Sequence, residues 1–536
     1  MTFNFSNPYT STRLPLFARN VVSTSHPLGA QAGLRMMLKG GNAVDAAIAA
    51  AAAMAILEPV SNGLGSDAFC ILWDGKELHG LNASGPAPQS WTPHYFKRKY
   101  GVDAQKPPTR GMDSVSVPGA VAGWVALSER FGKLPFADLM EPAIEIAERG
   151  CAVPVVVQQK WAAATPELQS QPGFADAFLP WGRAPQVGEL FQFKAAARAL
   201  RAIGESKGAA YYQGPIAQAI EKFSSQNGGS LRASDFENYQ PEWVEPISQE
   251  YRGYTLHEIP PNGQGIAALI ALGILKHFDI AGLAVDGVDS QHLQIEAMKL
   301  AFADVYNYVA EPAFMDVTPE QMLGDAYLAG RARLIDMKKA QDFGAGNPVK
   351  GGTIYLTAAD ENGMMVSFIQ SNYMGFGSGC VEPEFGISLQ NRGFGFSLQP
   401  GANQVAPGKR PFHTIIPAFL MEGGQPVMSF GVMGGNMQPQ GHMQTLVRML
   451  DYGQNPQTAC DAPRWRYNAG LEINVEAAMN PQVVQGLADR GHRMEVINDS
   501  YQDFGAGQFI WRAGDPKTQG YVAASDARRD GQAAGF

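Results

Sequence analysis

Gly351-Gly352-Thr353-Ile354-Tyr355-Leu356-Thr357-Ala358-Ala359 is the stretch on which the fold turns. Two glycines lead into seven residues that begin with β-branched and aromatic side chains, which reads as a strand opening at Thr353. Asn362-Gly363 is a hairpin signal, and 364–369 reads as the return strand. Upstream, 335–352 carries Asp336, Lys338, Lys339, Gln341, Asp342, several glycines and Pro348, and reads as an exposed, flexible linker. A threonine therefore stands where a linker meets a strand.

Working outward, Gly40-Gly41-Asn42 precedes an alanine-rich run, Ala43–Leu57. Asn42 is a fitting N-cap, and a helix apolar nearly all round belongs in a core. Pro59 ends it. A turn at 62–65, a strand over 68–73 and the hairpin pair Asp74-Gly75 follow. Residues 120–250 read as mostly helical, 251–259 as one strand, and a long helix starts near Asp289-Ser290. Beyond the linker, glycine-separated strands run to about 435, and a helix covers 443–452. Strands with helices on both sides of the linker suggest an α+β domain whose helices lie outside packed sheets.

The net charge of −9 argues against a polyanionic partner, so no nucleic acid is expected. Four scattered cysteines without a CxxC pair argue against a zinc site and fit a reducing compartment. No metal and no cofactor are expected. The N-terminal twenty residues lack an apolar h-region, and the alanine run is too short to span a bilayer, so a cytoplasmic protein away from membranes is the expectation. Nucleophile-elbow, zinc-protease, Walker and dinucleotide motifs do not occur. His413 and His442 fall in Gly- and Pro-rich stretches read as loops.

Thr353 remains. A threonine hydroxyl needs a base, and cleavage of the preceding bond would free its own α-amine beside it. An α-amine titrates near ~7.7–8.0 and serves as such a base. Read alone, Gly-Gly-Thr at a loop–strand junction usually means only a turn.

Blocks along the chain resemble the gamma-glutamyltransferase family. They are Gly40-Gly41-Asn42-Ala43-Val44-Asp45-Ala46-Ala47 with Glu58-Pro59, then Pro118-Gly119-Ala120-Val121-Ala122-Gly123-Trp124, then Glu296-Ala297-Met298-Lys299-Leu300-Ala301-Phe302-Ala303-Asp304. Gly408-Lys409-Arg410-Pro411, Gly434-Gly435 and Ser525-Asp526 continue the series, with Ala527 where the family has proline. The segment from Ser367 to Gly377 resembles the glutathione hydrolase-like proenzymes, a branch to which class IV cephalosporin acylases are similar.

The resemblance implies the four-layer αββα sandwich of N-terminal-nucleophile hydrolases. It implies self-cleavage between Gly352 and Thr353 into a large subunit, 1–352, and a small subunit, 353–536, that stay together. It leaves open whether two such heterodimers associate. Thr353 would be the nucleophile, Ser371 would support it in place of a family threonine, and Gly434 and Gly435 would form the oxyanion hole. Family members hold a γ-glutamyl group with an arginine, two serines, an asparagine and acidic residues. Here the arginine block, 82–88, has Pro86 and no arginine. The serine pair falls at His413-Thr414, the asparagine at Tyr373, and the acidic block reads Gln390-Asn391-Arg392-Gly393-Phe394-Gly395-Phe396.

The expected substrate is therefore a small-molecule amide: glutathione or another γ-glutamyl compound, with transfer to amines as a side reaction. A second expectation is an acylase on glutaryl or small dicarboxylic monoamides, because Arg392 repels an α-ammonium and suits a carboxylate. A third, of another class, is an uncleaved and inactive binding protein.

Overall fold

A computed structural model describes residues 4, 8–10, 13–344, 352–498 and 504–536. The chain is a mixed helix-and-sheet molecule built on two seven-stranded sheets. The first runs Gln532–Gly535, Val21–Thr24, Gly352–Ala359, Met365–Tyr373, Asp67–Trp73, Leu78–Ala83, Glu242–Val244. The second runs Leu16–Ala18, Tyr521–Ser525, Ala506–Arg512, Gln425–Met433, Ala418–Glu422, Tyr254–Glu258, Ile247–Tyr251. Segments from both sides of the linker enter both sheets, so the two halves of the chain share one body.

Three apolar clusters organise it. One holds Phe69, Tyr355 and Ile369 of the first sheet with Phe419 and Ile510 of the second, and so lies between the sheets. Another packs Ala43–Leu57, Phe136–Arg149 and neighbouring helices on Leu356 and Phe368 of the first sheet. The third packs Ile266–Leu275, Val288–Tyr308 and Met437–Leu450 on Leu420 and Phe430 of the second. Ala43–Leu57 is buried along its whole length, and small alanine side chains let it lie close to its neighbours. Asn42 caps it by accepting from the N–H groups of Val44 and Asp45, while Asp45 returns the bond to the Asn42 N–H.

The hairpins at Asp74-Gly75 and Asn362-Gly363 form where expected, with the two glycines at φ of 104° and 93°. Three expectations are corrected. The single strand over 251–259 is a hairpin, Ile247–Tyr251 with Tyr254–Glu258, turning at Arg252 and Gly253, both at positive φ. The helix expected over 443–452 is Met437–Leu450 and includes His442. The linker expected to be loose is tied down over its described part. Gln341 N–H donates to Glu296 and its carbonyl accepts from Lys299, while Ala340 N–H donates to the Arg490 carbonyl at 2.7 Å. Residues 345–351 of that linker lie outside the described residues. Among the described residues, no helix is long and apolar enough to cross a membrane.

Candidate active site

Gly352 pairs with Tyr373 and Ile354 with Gln370, so the ladder slips by one residue at Thr353. Such a bulge re-aims a side chain out of the regular alternation. Thr353 is buried, and its Oγ1 donates to Ser371 Oγ at 3.1 Å. Ser371 Oγ in turn donates to the Gly352 carbonyl at 2.6 Å and accepts the Tyr373 N–H at 2.7 Å. With one donor and two accepted bonds, the Ser371 hydroxyl is fully engaged. It holds the Thr353 hydroxyl and the oxygen of the Gly352–Thr353 peptide bond in one network.

The facing sheet brings the second component. Thr357 Oγ1 meets Ser429 Oγ at 2.6 Å, and Gly431 lies against the Tyr355 ring. Alternate residues face the same way along a strand. Met433 ends this strand two residues beyond Gly431, and Gly434 and Gly435 follow it directly. These glycines turn the chain from Gln425–Met433 into Met437–Leu450, at φ of 131° and 61°. Positive φ at both positions favours glycine. Among the described residues, neither N–H donates a hydrogen bond to a backbone or side-chain acceptor. Both stand at the positive end of a fourteen-residue helix. Two free donors at a helix N-terminus suit a developing oxyanion.

A buried ion network props this turn. A Cβ on Gly434 would come within 2.9 Å of the Gly505 Cα. The flanking segment is fixed by Arg464 donating to the Phe504 carbonyl at 3.0 Å and by Asp526 accepting the Gly507 N–H at 2.8 Å. Burial opposes ionisation of Asp526, but Arg464 and Arg528 hold its carboxyl below the usual range.

A cavity of about 200 Å³ has Tyr373, the ladder partner of Gly352, in its wall. Tyr373, Thr414, Asn436, Phe394 and Lys106 are among its lining residues, and none of the lining residues is acidic. Tyr373 has φ of 78°, a strained value for a non-glycine residue of the kind that clusters at functional sites. Arg392 is fully buried but does not line the cavity. Its guanidinium stacks on the Tyr373 ring at 4.5 Å, and Nη1 donates to Thr414 Oγ1 at 2.9 Å. Among the described residues, its Nε and Nη2 have no hydrogen-bond partner. Arg392 therefore acts on the cavity through Tyr373 and Thr414.

His413 is bound to Asp67, the ladder partner of Ser371. Its Nδ1 accepts the Ile415 N–H, which leaves Nε2–H for Asp67 at 3.1 Å. Burial, reinforced by the Arg392 charge, pushes the imidazole pKa well below its ordinary value and keeps it neutral. Burial pushes Asp67 up to about 7, against the pull of Arg392 and of the Gly119 and Gly85 N–H groups. His442 is also structural: it accepts the Val432 N–H and faces Glu258 at 2.7 Å. Among the described residues, the buried cluster of metal-ligand type is His292, Glu296 and His492. The Lys299 ammonium sits in it, 2.7 Å from Glu296 and 3.3 Å from His492, and fills the place of a cation.

The structure thus brings Thr353, Ser371 and Gly352 together by direct bonds, and Tyr373, Arg392 and Thr414 into one contiguous group. Sequence reasoning missed Asp67, Lys106 and Asn436. Asp67 and Lys106 sit in stretches without a motif, and Asn436 directly follows the Gly434-Gly435 pair without being part of it.

A family model described as gamma-glutamyltranspeptidase matches residues 29–536. The glutathione hydrolase-like YwrD proenzyme of Bacillus subtilis is 36% identical, over 97% of this chain and 98% of that protein. The oxamate amidohydrolase proenzyme of Klebsiella pneumoniae is 33% identical, over 95% of this chain and 97% of that protein. The crystal structure of a cephalosporin acylase from Bacillus halodurans superposes with a TM-score of 0.93 and 48% identity, covering 100% of this chain and 99% of that one.

Proposed function

The chain belongs to the gamma-glutamyltranspeptidase family, and from that membership and the geometry at Thr353 we propose a self-processing amidohydrolase acting through an acyl-enzyme on Thr353. The observation that carries this reading is the Thr353–Ser371–Gly352 network. In the precursor, Thr353 Oγ1 attacks the Gly352 carbonyl carbon. The hydroxyl proton passes by way of Ser371 to the departing Thr353 nitrogen, and the C–N bond breaks. Water then hydrolyses the resulting ester, giving 1–352 and 353–536 with a free α-amine on Thr353.

That amine next serves as the base for attack on a substrate amide. The N–H groups of Gly434 and Gly435 receive the tetrahedral oxygen, and the amine of the substrate leaves with the proton. Water, or an acceptor amine, releases the acyl group. The two sheets and the outer helix clusters are read as the four layers of an αββα sandwich, supported by the placement of the three apolar clusters.

Glutathione and other γ-glutamyl amides are the first substrate class, since relatives include glutathione hydrolase proenzymes. A second class, amides of dicarboxylic acids, is favoured by a specific observation: no acidic residue lines the cavity to meet an α-ammonium. An oxamate amidohydrolase among the relatives accords with that class.

Acid quenching during turnover of an acyl p-nitroanilide, followed by mass spectrometry, tests the mechanism. The 353–536 fragment is expected to gain the mass of the acyl group, with the adduct mapped to Thr353. An adduct on 1–352, or turnover without any adduct on Thr353 under single-turnover conditions, would contradict it.

A further inference from the structure

Lys106 is a cation in the cavity that no part of the proposed chemistry uses. It lies in the loop after Pro93–Tyr100 and lines the same cavity as Tyr373 and Thr414. Its Nζ stands 4.9 Å from the centre of the Phe394 ring. Among the described residues, it has neither a salt bridge nor a hydrogen-bond partner. Burial lowers its pKa without an opposing carboxylate. A half-buried ammonium facing only an aromatic ring has lost water without gaining a counter-ion, which is costly until an anion arrives.

Thr414 supplies the second element. Its Oγ1 already accepts from Arg392, so its own proton is free to donate. The buried guanidinium behind it polarises that donor. The cavity therefore offers an ammonium, a hydroxyl donor backed by a cation, and no carboxylate. The lining also holds Tyr373, the ladder partner of Gly352, and Asn436, next in sequence to Gly435, so the cavity adjoins the proposed reacting groups. A volume of about 200 Å³ falls below the roughly 300–1,000 Å³ of pockets for drug-sized ligands, and so suits a short acyl chain.

We propose that Lys106 and Thr414 form a carboxylate subsite that selects amides whose short acyl group ends in a carboxylate and carries no amine. The inference rests on the acyl-enzyme reading above and names the substrate class of that site. Lys106 takes the carboxylate as a point charge, with Thr414 fixing one of its oxygens. The ammonium of a γ-glutamyl group would meet like charge here with no acidic residue to offset it.

Three p-nitroanilides test it on the self-cleaved protein: glutaryl, its methyl ester, and γ-glutamyl. The glutaryl donor is expected to exceed the ester in kcat/KM by roughly ten- to hundredfold, the range of a charge-assisted contact, mostly through KM. Lys106→Met is expected to collapse that acid-to-ester ratio to about one, and Lys106→Arg to keep most of it. Intact-mass detection of both fragments in each variant shows that the fold and the nucleophile have survived. An unchanged ratio in Lys106→Met, or γ-glutamyl as the best donor, overturns the subsite while leaving the acyl-enzyme reading intact. A cleaved parent that turns over none of the three overturns both.

Discussion

Thr353→Ala is expected to leave one uncut chain and to remove amide turnover, with a loss on the order of 10⁴- to 10⁶-fold, as when a covalent nucleophile is deleted. Two functions disappear with one oxygen atom. Self-cleavage needs Oγ1 to attack Gly352, and turnover needs both that oxygen and the α-amine that cleavage frees. The variant should fold: Thr353 Oγ1 makes a single side-chain hydrogen bond, to Ser371, and the Gly352–Ala359 strand keeps its ladder on both sides. A thermal melt within a few degrees of the parent, beside a single band of full mass, separates lost chemistry from lost structure. Cleavage of Thr353→Ala at the parental position would remove Thr353 from the mechanism.

Ser371→Ala has the next largest effect. Its hydroxyl donates to the Gly352 oxygen and orients Thr353, so its removal strips a donor from the oxygen that becomes negative during self-cleavage. Deleting one oxyanion donor typically slows a reaction by about 10²- to 10³-fold, and a slowing of that order is expected for the maturation rate. Ser371→Thr retains a hydroxyl on the same carbon and is expected to mature within about tenfold of the parent. Time courses of fragment appearance in the three proteins decide this. Equal rates for Ser371→Ala and the parent would reduce Ser371 to a strand residue.

What the sequence made legible was chiefly local. Asn42 with Asp45 marks a helix start because both side chains serve backbone N–H groups within one turn. Asn362-Gly363 marks its hairpin because glycine supplies the positive φ there. The strand at Thr353 was readable from its run of β-branched and aromatic residues, and it begins at Gly352. The turn at Arg252-Gly253 was hidden because an arginine at φ of 55° gives no local cue, and its side chain is held by Asp451 from far along the chain. The head of Met437–Leu450 was obscured by Pro439 and Gly441, residues that weaken a helix but are tolerated in its first turns.

At the site, the proposed nucleophile Thr353, its serine and the paired glycines stood out in the sequence as family-like motifs. Arg392 was legible as a charge but not as one screened behind Tyr373 and Thr414, since that depends on how a short 3₁₀ turn packs under a strained strand end. Lys106 and Asp67 were not legible at all. Each matters through partners hundreds of residues away, as Asp67 does for His413. The linker misled for a related reason: its polar composition describes an exposed strip, whereas Glu296 and Lys299 on a distant helix fasten it.

The central claim is that Thr353 becomes an N-terminal residue. Intact mass spectrometry of the purified, denatured protein, with N-terminal sequencing of the smaller species, tests it most directly. The account predicts that the 57.6 kDa chain resolves into two fragments, of about 38 and 20 kDa by proportion to length, the smaller one beginning at Thr353. A single species of full mass after prolonged incubation, or a smaller fragment beginning at any other residue, would contradict it.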